Sequence, residues 1–124
     1  MALAIGTDIV EIARMSDAAS RQGLKFVQRI LCANEFEQYQ SKSNSSAFLA
    51  KRFAAKEAIA KALGTGIGNG VSFQDIEITN NAKGAPQVKL TGGAAKVLAE
   101  MGATKVLLSL SDEKEYALAY AVLL

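Results

Sequence analysis

Two acidic residues and one lysine offer the clearest chemistry in this sequence. Asp8 follows Gly6 and Thr7 in an apolar N-terminal segment, and Glu57 and Lys61 lie four residues apart in an alanine-rich segment. Residues at that spacing share one face of an α-helix. Two carboxylates from different elements can hold a divalent cation, and a nearby lysine can neutralise phosphate. Asp8, Glu57 and Lys61 are therefore a candidate site for metal-assisted phosphate chemistry.

Glu57 and Lys61 also have an ordinary structural interpretation. Acid–lysine pairs at this spacing are common on helices and stabilise them by only about 0.2–0.5 kcal/mol. From the helix alone we favour that interpretation. Asp8 shifts the balance, because an aspartate near the end of an apolar strand is a poor strand former and needs a partner.

The residue types that are missing narrow the chemistry further. The chain has no histidine, which excludes Ser-His-Asp and Cys-His hydrolases and any histidine-ligated zinc or iron centre. Its one cysteine, Cys32, excludes an internal disulfide and is typical of a reducing cytoplasm. We interpret Cys32 as a buried structural thiol rather than a nucleophile, since no histidine is present to act as its base.

Composition predicts a single domain over residues 1–124, with half of the residues hydrophobic. A net charge of +2 is too small to indicate nucleic-acid binding, and we expect none. We also expect no membrane association, because no segment approaches the roughly 20 apolar residues that span a bilayer. The first ten residues lack a basic region, so we predict no signal peptide.

Hydrophobic periodicity predicts an α+β fold in which an antiparallel sheet packs against one long central helix. Asn34 and Glu37 resemble an N-cap and its capping-box partner, opening one helix. Gly23 and Gly64 are predicted to end helices. The predicted strands are 2–10, 73–79, 87–90, 104–111 and 116–124, and the predicted helices include 16–22, 46–63 and 93–101, with helical spacing also at 24–31.

The glycine-rich segment 64–70 has the composition of a phosphate-binding loop but the wrong position. Such loops precede a helix, whose N-terminal amides face the anion, whereas this segment follows one. It also lacks the Gly-Lys-Ser/Thr ending. A structural helix cap is the better interpretation.

Basic residues recur along the first helical region, at seven-, four- and four-residue separations: Arg14, Arg21, Lys25 and Arg29. Most charge runs are solvated helix faces. The functional alternative is a docking surface for an acidic partner, where charge complementarity raises the association rate.

Two segments together resemble the signatures of the 4'-phosphopantetheinyl transferases. They are Gly6-Thr-Asp8-Ile-Val-Glu11-Ile-Ala-Arg14 and Phe53-Ala-Ala-Lys56-Glu57-Ala-Ile-Ala-Lys61-Ala-Leu-Gly64. The chain length, the turn at 81–86 and the C-terminal hairpin resemble the short bacterial branch of this family, so the resemblance covers essentially the whole chain. The two motifs are specific in this order and separation, whereas either alone would be weak.

The resemblance implies transfer of the phosphopantetheine arm of coenzyme A to a serine of apo acyl carrier protein, in fatty acid biosynthesis. Adenosine 3',5'-bisphosphate would be released. Asp8 and Glu57 would hold Mg²⁺ against the pyrophosphate, and Lys61 would neutralise charge on the bridging and leaving oxygens. The proton acceptor for the serine stays open between Glu57 and a metal-bound water.

The same resemblance implies where the substrates bind. Arg52 and Lys56 would contact the nucleotide phosphates, and the turn from Gly84 to Pro86 would border the adenosine. The basic residues Arg14, Arg21, Lys25 and Arg29 would dock the acidic carrier protein. The short branch forms homotrimers with active sites between subunits, which this resemblance extends to the present chain.

One position departs from the family pattern. Asp112 stands where many members carry a histidine after the second serine of the C-terminal hairpin. A carboxylate there would repel phosphate unless a cation compensates, and the candidates are Lys83, Lys114 or an arginine of a neighbouring subunit. A non-catalytic module that binds carrier protein or coenzyme A is the alternative function, and a purely structural oligomer is a third.

Overall fold

The α+β prediction is confirmed by the computed structural model, which describes all 124 residues. The five strands and five helices follow in chain order, with a short 3₁₀ turn at Phe73–Asp75 before the second strand. They are β1 (Ala4–Glu11), α1 (Ile12–Gln22), α2 (Leu24–Ile30), α3 (Ala33–Ser41), α4 (Ser45–Ala62), β2 (Ile76–Asn80), β3 (Pro86–Leu90), α5 (Gly92–Glu100), β4 (Val106–Asp112) and β5 (Tyr116–Leu123).

Three strands form an antiparallel sheet in the order β1-β5-β4. Because successive strand residues point to opposite faces, one face of this sheet carries Ala117, Ala119 and Ala121 of β5, all fully buried against α4. The opposite face carries larger apolar residues that remain exposed, including Ile9 and Tyr120. The sheet therefore has one covered and one open face.

The remaining strands, β2 and β3, form a separate antiparallel pair rather than joining the same sheet. Ile76 and Ile78 of β2 are fully buried, so the pair contributes to the same core. We predicted one antiparallel sheet, whereas the structure contains two, one of three strands and one of two. No backbone hydrogen bonds join β3 to β4, although these strands lie near each other.

Helix α4 passes through the centre of the molecule, as predicted. The Asn44 side chain accepts a hydrogen bond from the Ala47 amide and caps its start. At its end, Gly64 has φ +81° and donates to the Lys61 carbonyl, which confirms the cap interpretation of the glycine-rich segment. Most of its alanines are fully buried, so neighbouring backbones approach it closely. None of the helices is long and apolar enough to cross a membrane.

Two predicted helix starts were wrong. Helix α1 begins at Ile12 instead of residue 16, because the chain turns directly from strand to helix. Helix α3 begins at Ala33 and is capped at Cys32, whose amide donates to Glu35 Oε1 over 2.7 Å. The box therefore uses Cys32 and Glu35 rather than Asn34 and Glu37. Gly23 separates α1 from α2, as expected.

Gly6 is the point of closest approach between β1 and α4. A methyl group on its Cα would overlap the Ala58 carbonyl oxygen and lie 2.7 Å from the Ala62 amide nitrogen. Both of these atoms belong to the helix backbone, which cannot move aside as a flexible side chain can. Gly6 thereby fixes where the next inward-facing residue of β1, Asp8, meets the helix.

We predict that Gly6→Ala destabilises the fold by at least about 3 kcal/mol, because relief of the overlap must separate β1 from α4. Urea denaturation followed by circular dichroism measures the change. Gly102→Ala is the matched control: Gly102 follows α5 with φ +78° and open space around it, so only the backbone strain of a left-handed residue, about 1–2 kcal/mol, applies. Equal losses in the two variants would contradict the close-packing account.

Candidate active site

Asp8, Glu57 and Lys61 line one cleft of about 630 Å³ between β1, α1 and α4. The structure therefore brings together the three residues that the sequence singled out. Phe26 and Phe53 form an apolar wall of this cleft. Helix α1 contributes basic and acidic residues to the cleft. The remaining lining residues are Ile9, Val10, Arg14, Met15, Asp17, Ala18, Arg21 and Gln22.

Lys61 pairs with Asp8 and not with Glu57. Its ammonium donates to Asp8 Oδ1 over 2.9 Å and to the Thr7 carbonyl over 3.1 Å. No ion pair joins Lys61 to Glu57 within 4.0 Å, so the ordinary helix-pair interpretation does not describe this lysine. The Lys61 side chain is 52% exposed, which leaves its ammonium accessible to a ligand in the cleft.

Glu57 is the carboxylate that the site leaves least compensated. Burial raises its pKa above the usual value, the charge of Asp8 raises it further, and Lys61 lowers it in part. Asp8 and Glu57 line the same cleft, so their negative charges repel each other. Such a pair in a cleft attracts a cation.

The donor set fits a hard divalent cation. Mg²⁺ usually takes one or two protein carboxylates and completes its coordination with waters and substrate phosphates. Asp8 and Glu57 provide this pair of carboxylates. A bound cation would relieve the repulsion between their negative charges. No group of three or more cysteine, aspartate or glutamate side chains encloses a fully protein-ligated metal site. Any ion held here would therefore depend on water or substrate for most of its ligands.

Three of the other predicted coenzyme A residues lie in a different cavity, also of about 630 Å³. Arg52, Gly84 and Pro86 line it with two unpredicted cations, Lys42 and Lys51. It shares no lining residue with the carboxylate cleft. The separation follows from helix geometry, since five residues along α4 turn the direction of a side chain by about 140°.

Asp112 lies in this second cavity, as its family position implied, and a cation faces it. The Lys51 ammonium is 3.7 Å from Asp112 Oδ1, and both side chains are partly exposed. The compensating residue is therefore Lys51 of α4, and neither Lys83 nor Lys114 lines the cavity. An exposed pair of this kind contributes little stability, so an incoming anion can compete for Lys51 at small cost.

The predicted phosphate contact of Lys56 is wrong. Lys56 is fully buried, and its ammonium donates to Glu35 Oε1 over 2.6 Å and to the Ile30 carbonyl over 2.7 Å, with Phe73 as a third acceptor. Glu35 is also fully buried. Because three internal oxygen atoms and the Cys32 sulfur accept from this lysine, it faces the core and not either cavity.

The four basic residues predicted to dock a carrier protein are all exposed. Arg14 and Arg21 stand on α1 and line the carboxylate cleft, whereas Arg29 lies beside another cavity and stacks over Phe26 at 5.8 Å. They do not form a continuous helical stripe, because Gly23 breaks the helix between Arg21 and Lys25. Their docking role stays a prediction.

Comparisons with known proteins decide the family. The model of the 4'-phosphopantetheinyl transferase superfamily matches residues 4–121. The chain belongs to this superfamily. A holo-[acyl-carrier-protein] synthase of Shewanella frigidimarina is 54% identical over 119 residues, covering 96% of this chain and 94% of the relative.

Solved structures of the superfamily agree. A holo-[acyl-carrier-protein] synthase from Neisseria meningitidis superposes with a TM-score of 0.93 at 42% identity, over 100% of this chain and 99% of the other. A Helicobacter pylori synthase in complex with coenzyme A has a TM-score of 0.85 at 35% identity, over 97% and 99%. The similarity extends over the whole chain, including both cavities.

Several residues around the two cavities were not predicted from the sequence. Lys51 adjoins the predicted Arg52, but nothing in the sequence pairs it with Asp112. Nothing in the sequence distinguishes Glu35 from the exposed acids around it, because its partner Lys56 lies 21 residues away. Asn80 carries no sequence signal for its contact with Arg52, which is 28 residues away.

We predict that Glu57→Gln raises the free energy of unfolding at neutral pH in the presence of a chelator, because it removes the repulsion with Asp8. In wild type, the folded chain binds the Glu57 proton more strongly than the unfolded chain, so stability falls as pH rises from about 4.5 through the raised pKa. The difference in the free energy of unfolding between Glu57→Gln and wild type should therefore grow as pH rises through the raised pKa of Glu57, and then stay constant. Urea titrations between pH 4 and 8 measure it; a pH-independent difference would contradict the raised pKa.

We predict that Lys56→Met costs about 3–5 kcal/mol of stability, because the buried Glu35 loses its hydrogen-bonded cation and keeps only Arg52, whose Nε is 3.8 Å away. Adding Glu35→Gln in the same chain should recover much of the loss. Lys51→Met, which breaks only the exposed pair with Asp112, should cost less than about 1 kcal/mol. Chemical denaturation compares the three variants, and a stable Lys56→Met chain with impaired coenzyme A binding would restore the original phosphate assignment.

Proposed function

We propose that this chain is a holo-[acyl-carrier-protein] synthase, which transfers the 4'-phosphopantetheine group of coenzyme A to a serine of apo acyl carrier protein. The observation that supports the proposal most directly is the cleft in which Asp8, Glu57 and Lys61 meet, in a member of the superfamily. Relatives that match nearly the whole chain carry the synthase name, which supports the same activity here.

The reaction forms a bond between the serine Oγ and the β-phosphorus of coenzyme A and breaks the bridging bond to the α-phosphate. Adenosine 3',5'-bisphosphate leaves, and the serine proton is lost. Transfer of this kind depends mainly on alignment and on neutralising charge. The protein must therefore supply cationic groups at the pyrophosphate and a proton acceptor beside it.

Lys61 and the two carboxylates meet these needs. The exposed Lys61 ammonium can neutralise charge on the bridging and leaving oxygens. Asp8 and Glu57 would hold Mg²⁺, which when bound screens the pyrophosphate and supports its alignment. Glu57 is one candidate acceptor for the serine proton, and a water on the bound cation would be the other.

The second cavity fits the nucleotide end of coenzyme A. Lys42, Lys51 and Arg52 give it positive charge, and the Gly84–Pro86 turn gives it a wall without bulky side chains. The Helicobacter pylori synthase, similar over nearly its whole length, was solved with coenzyme A. We assign the phosphates of the nucleotide to the cations and the adenosine to the turn.

The separation of the two cavities supports an active site shared between subunits. The open face of the β1-β5-β4 sheet carries exposed apolar side chains, with Ile5 at 60% and Ile9 at 61% exposure. Exposed apolar faces of this kind mark protein interfaces. We propose that copies of the chain cover this face in a homotrimer, in which the carboxylate cleft of one copy meets the nucleotide cavity of the next.

The acidic carrier protein would dock beside the cleft. Arg14 and Arg21 project from α1 at the cleft itself, so their charge can orient a carrier protein with its serine towards Asp8 and Glu57. Lys25 and Arg29 extend the basic surface along α2. The single cysteine and the coenzyme A donor are consistent with a cytoplasmic location.

The direct test is the intact mass of an apo acyl carrier protein after incubation with this chain, coenzyme A and Mg²⁺. We predict a gain of one phosphopantetheine group, which a chelator abolishes. Asp8→Asn should lower the rate by roughly 100-fold or more while the domain stays folded, since it removes a charge from the proposed cation site. Glu100→Gln is the matched control and should react normally, because Glu100 is an exposed acid that lines neither cavity.

One outcome would contradict the proposed activity, and another would contradict only the assignment of the cation. If the carrier protein binds but its mass does not change, the chain is the non-catalytic binding module. If Asp8→Asn keeps the wild-type rate with Mg²⁺ present, the assignment of the cation to Asp8 is wrong although the transferase activity stands.

A further inference from the structure

Asn80, the last residue of β2, bridges two walls of the nucleotide cavity with the two ends of its side-chain amide. Its Oδ1 accepts a hydrogen bond from Arg52 Nη2 over 3.1 Å, and its Nδ2 donates to the Gly84 carbonyl over 3.0 Å. All three residues line this cavity. The contact therefore joins the cationic floor of the cavity to its turn.

Arg52 needs this contact because its other partners hold it only loosely. The guanidinium lies over the Phe48 ring at 4.6 Å, and Nε is 3.8 Å from Glu35 Oε2, too far for a hydrogen bond. Nε is the one buried side-chain polar atom in the chain without a hydrogen-bond partner. Asn80 supplies the only side-chain hydrogen bond that orients this buried cation.

The turn that Asn80 holds is itself internally ordered. The Asn81 side chain accepts hydrogen bonds from the Lys83 and Ala85 amides, and the Asn81 amide donates to the Ala85 carbonyl. Gly84 adopts φ +86°, a conformation that glycine tolerates, and its carbonyl accepts the hydrogen bond from Asn80. The turn is thus internally hydrogen-bonded, and the Asn80 side chain links it to Arg52.

We propose that Asn80 is a positioning residue for the nucleotide end of coenzyme A, setting the distance between Arg52 and the Gly84–Pro86 turn. The inference rests on the proposed function of this cavity. It requires an amide, because one end must accept from a guanidinium and the other must donate to a carbonyl. Aspartate preserves the first contact and loses the second.

The test measures binding and turnover in Asn80→Ala and Asn80→Asp. Loss of a hydrogen bond to a charged group predicts a rise in the KM for coenzyme A, and in the Kd for adenosine 3',5'-bisphosphate, of roughly 10-fold in Asn80→Ala. The KM for carrier protein and the kcat at saturating coenzyme A should change by less than about twofold. Hydrogen exchange of residues 81–85 should accelerate in both variants.

Asn69→Ala is the matched control, because Asn69 also donates from its side chain to a loop carbonyl, that of Thr65, but lies outside the cavity. It should leave both constants for the nucleotide at their wild-type values. A folded Asn80→Ala chain with an unchanged KM for coenzyme A would overturn the inference. So would Asn80→Asp with wild-type binding and wild-type exchange in the turn.

The wild-type chain separates this inference from the function on which it rests. If wild type binds no adenosine 3',5'-bisphosphate and modifies no carrier protein, the proposed function fails and the role of Asn80 fails with it. If wild type binds and reacts while Asn80→Ala does the same with equal constants, only the positioning role fails.

Discussion

The contact between strand β1 and helix α4 at Gly6 is the constraint from which the candidate site follows. A side chain at this position would overlap helix backbone, so only glycine lets the two elements approach this closely. Two residues later Asp8 points to the same side of the strand and reaches Lys61, one helical turn beyond Glu57. The two motifs are therefore one structural unit, in which close packing aligns the charges.

A second constraint lies on the other side of α4, where the chain buries charge. Glu35 accepts hydrogen bonds from Lys56 and from the amides of Cys32 and Ile78, which ties α3 and β2 to the central helix. The same carboxylate faces Arg52 at the base of the proposed nucleotide cavity. Helix α4 thus organises both cavities through two different networks. The network of Asp8 and Lys61 is exposed in the carboxylate cleft. The network of Glu35, Lys56 and Arg52 is internal and lies below the second cavity.

Sequence reasoning succeeded where the signal was local or carried by specific motifs. The spacing of Glu57 and Lys61, the helix-ending glycines and the alternation in the C-terminal strands all predicted the observed elements. It failed for Lys56, because a lysine in a motif looks the same whether it faces solvent or a buried glutamate 21 residues away. The bridges from Lys51 to Asp112 and from Arg52 to Asn80 also join distant segments, and no periodicity encodes such contacts.

The central claim is that the carboxylate cleft of one subunit works with the nucleotide cavity of another. Subunit complementation tests it with two variants: Asp8→Asn, and Ala85→Trp, which fills the nucleotide cavity from an exposed turn position. Each should be inactive alone, because every site in the proposed homotrimer would carry the same defect. Co-refolded, they should regain transfer of phosphopantetheine at sites that combine Asp8 of one chain with the open cavity of the other. Mixed oligomers that form but stay inactive would place the whole site within one chain and contradict the account.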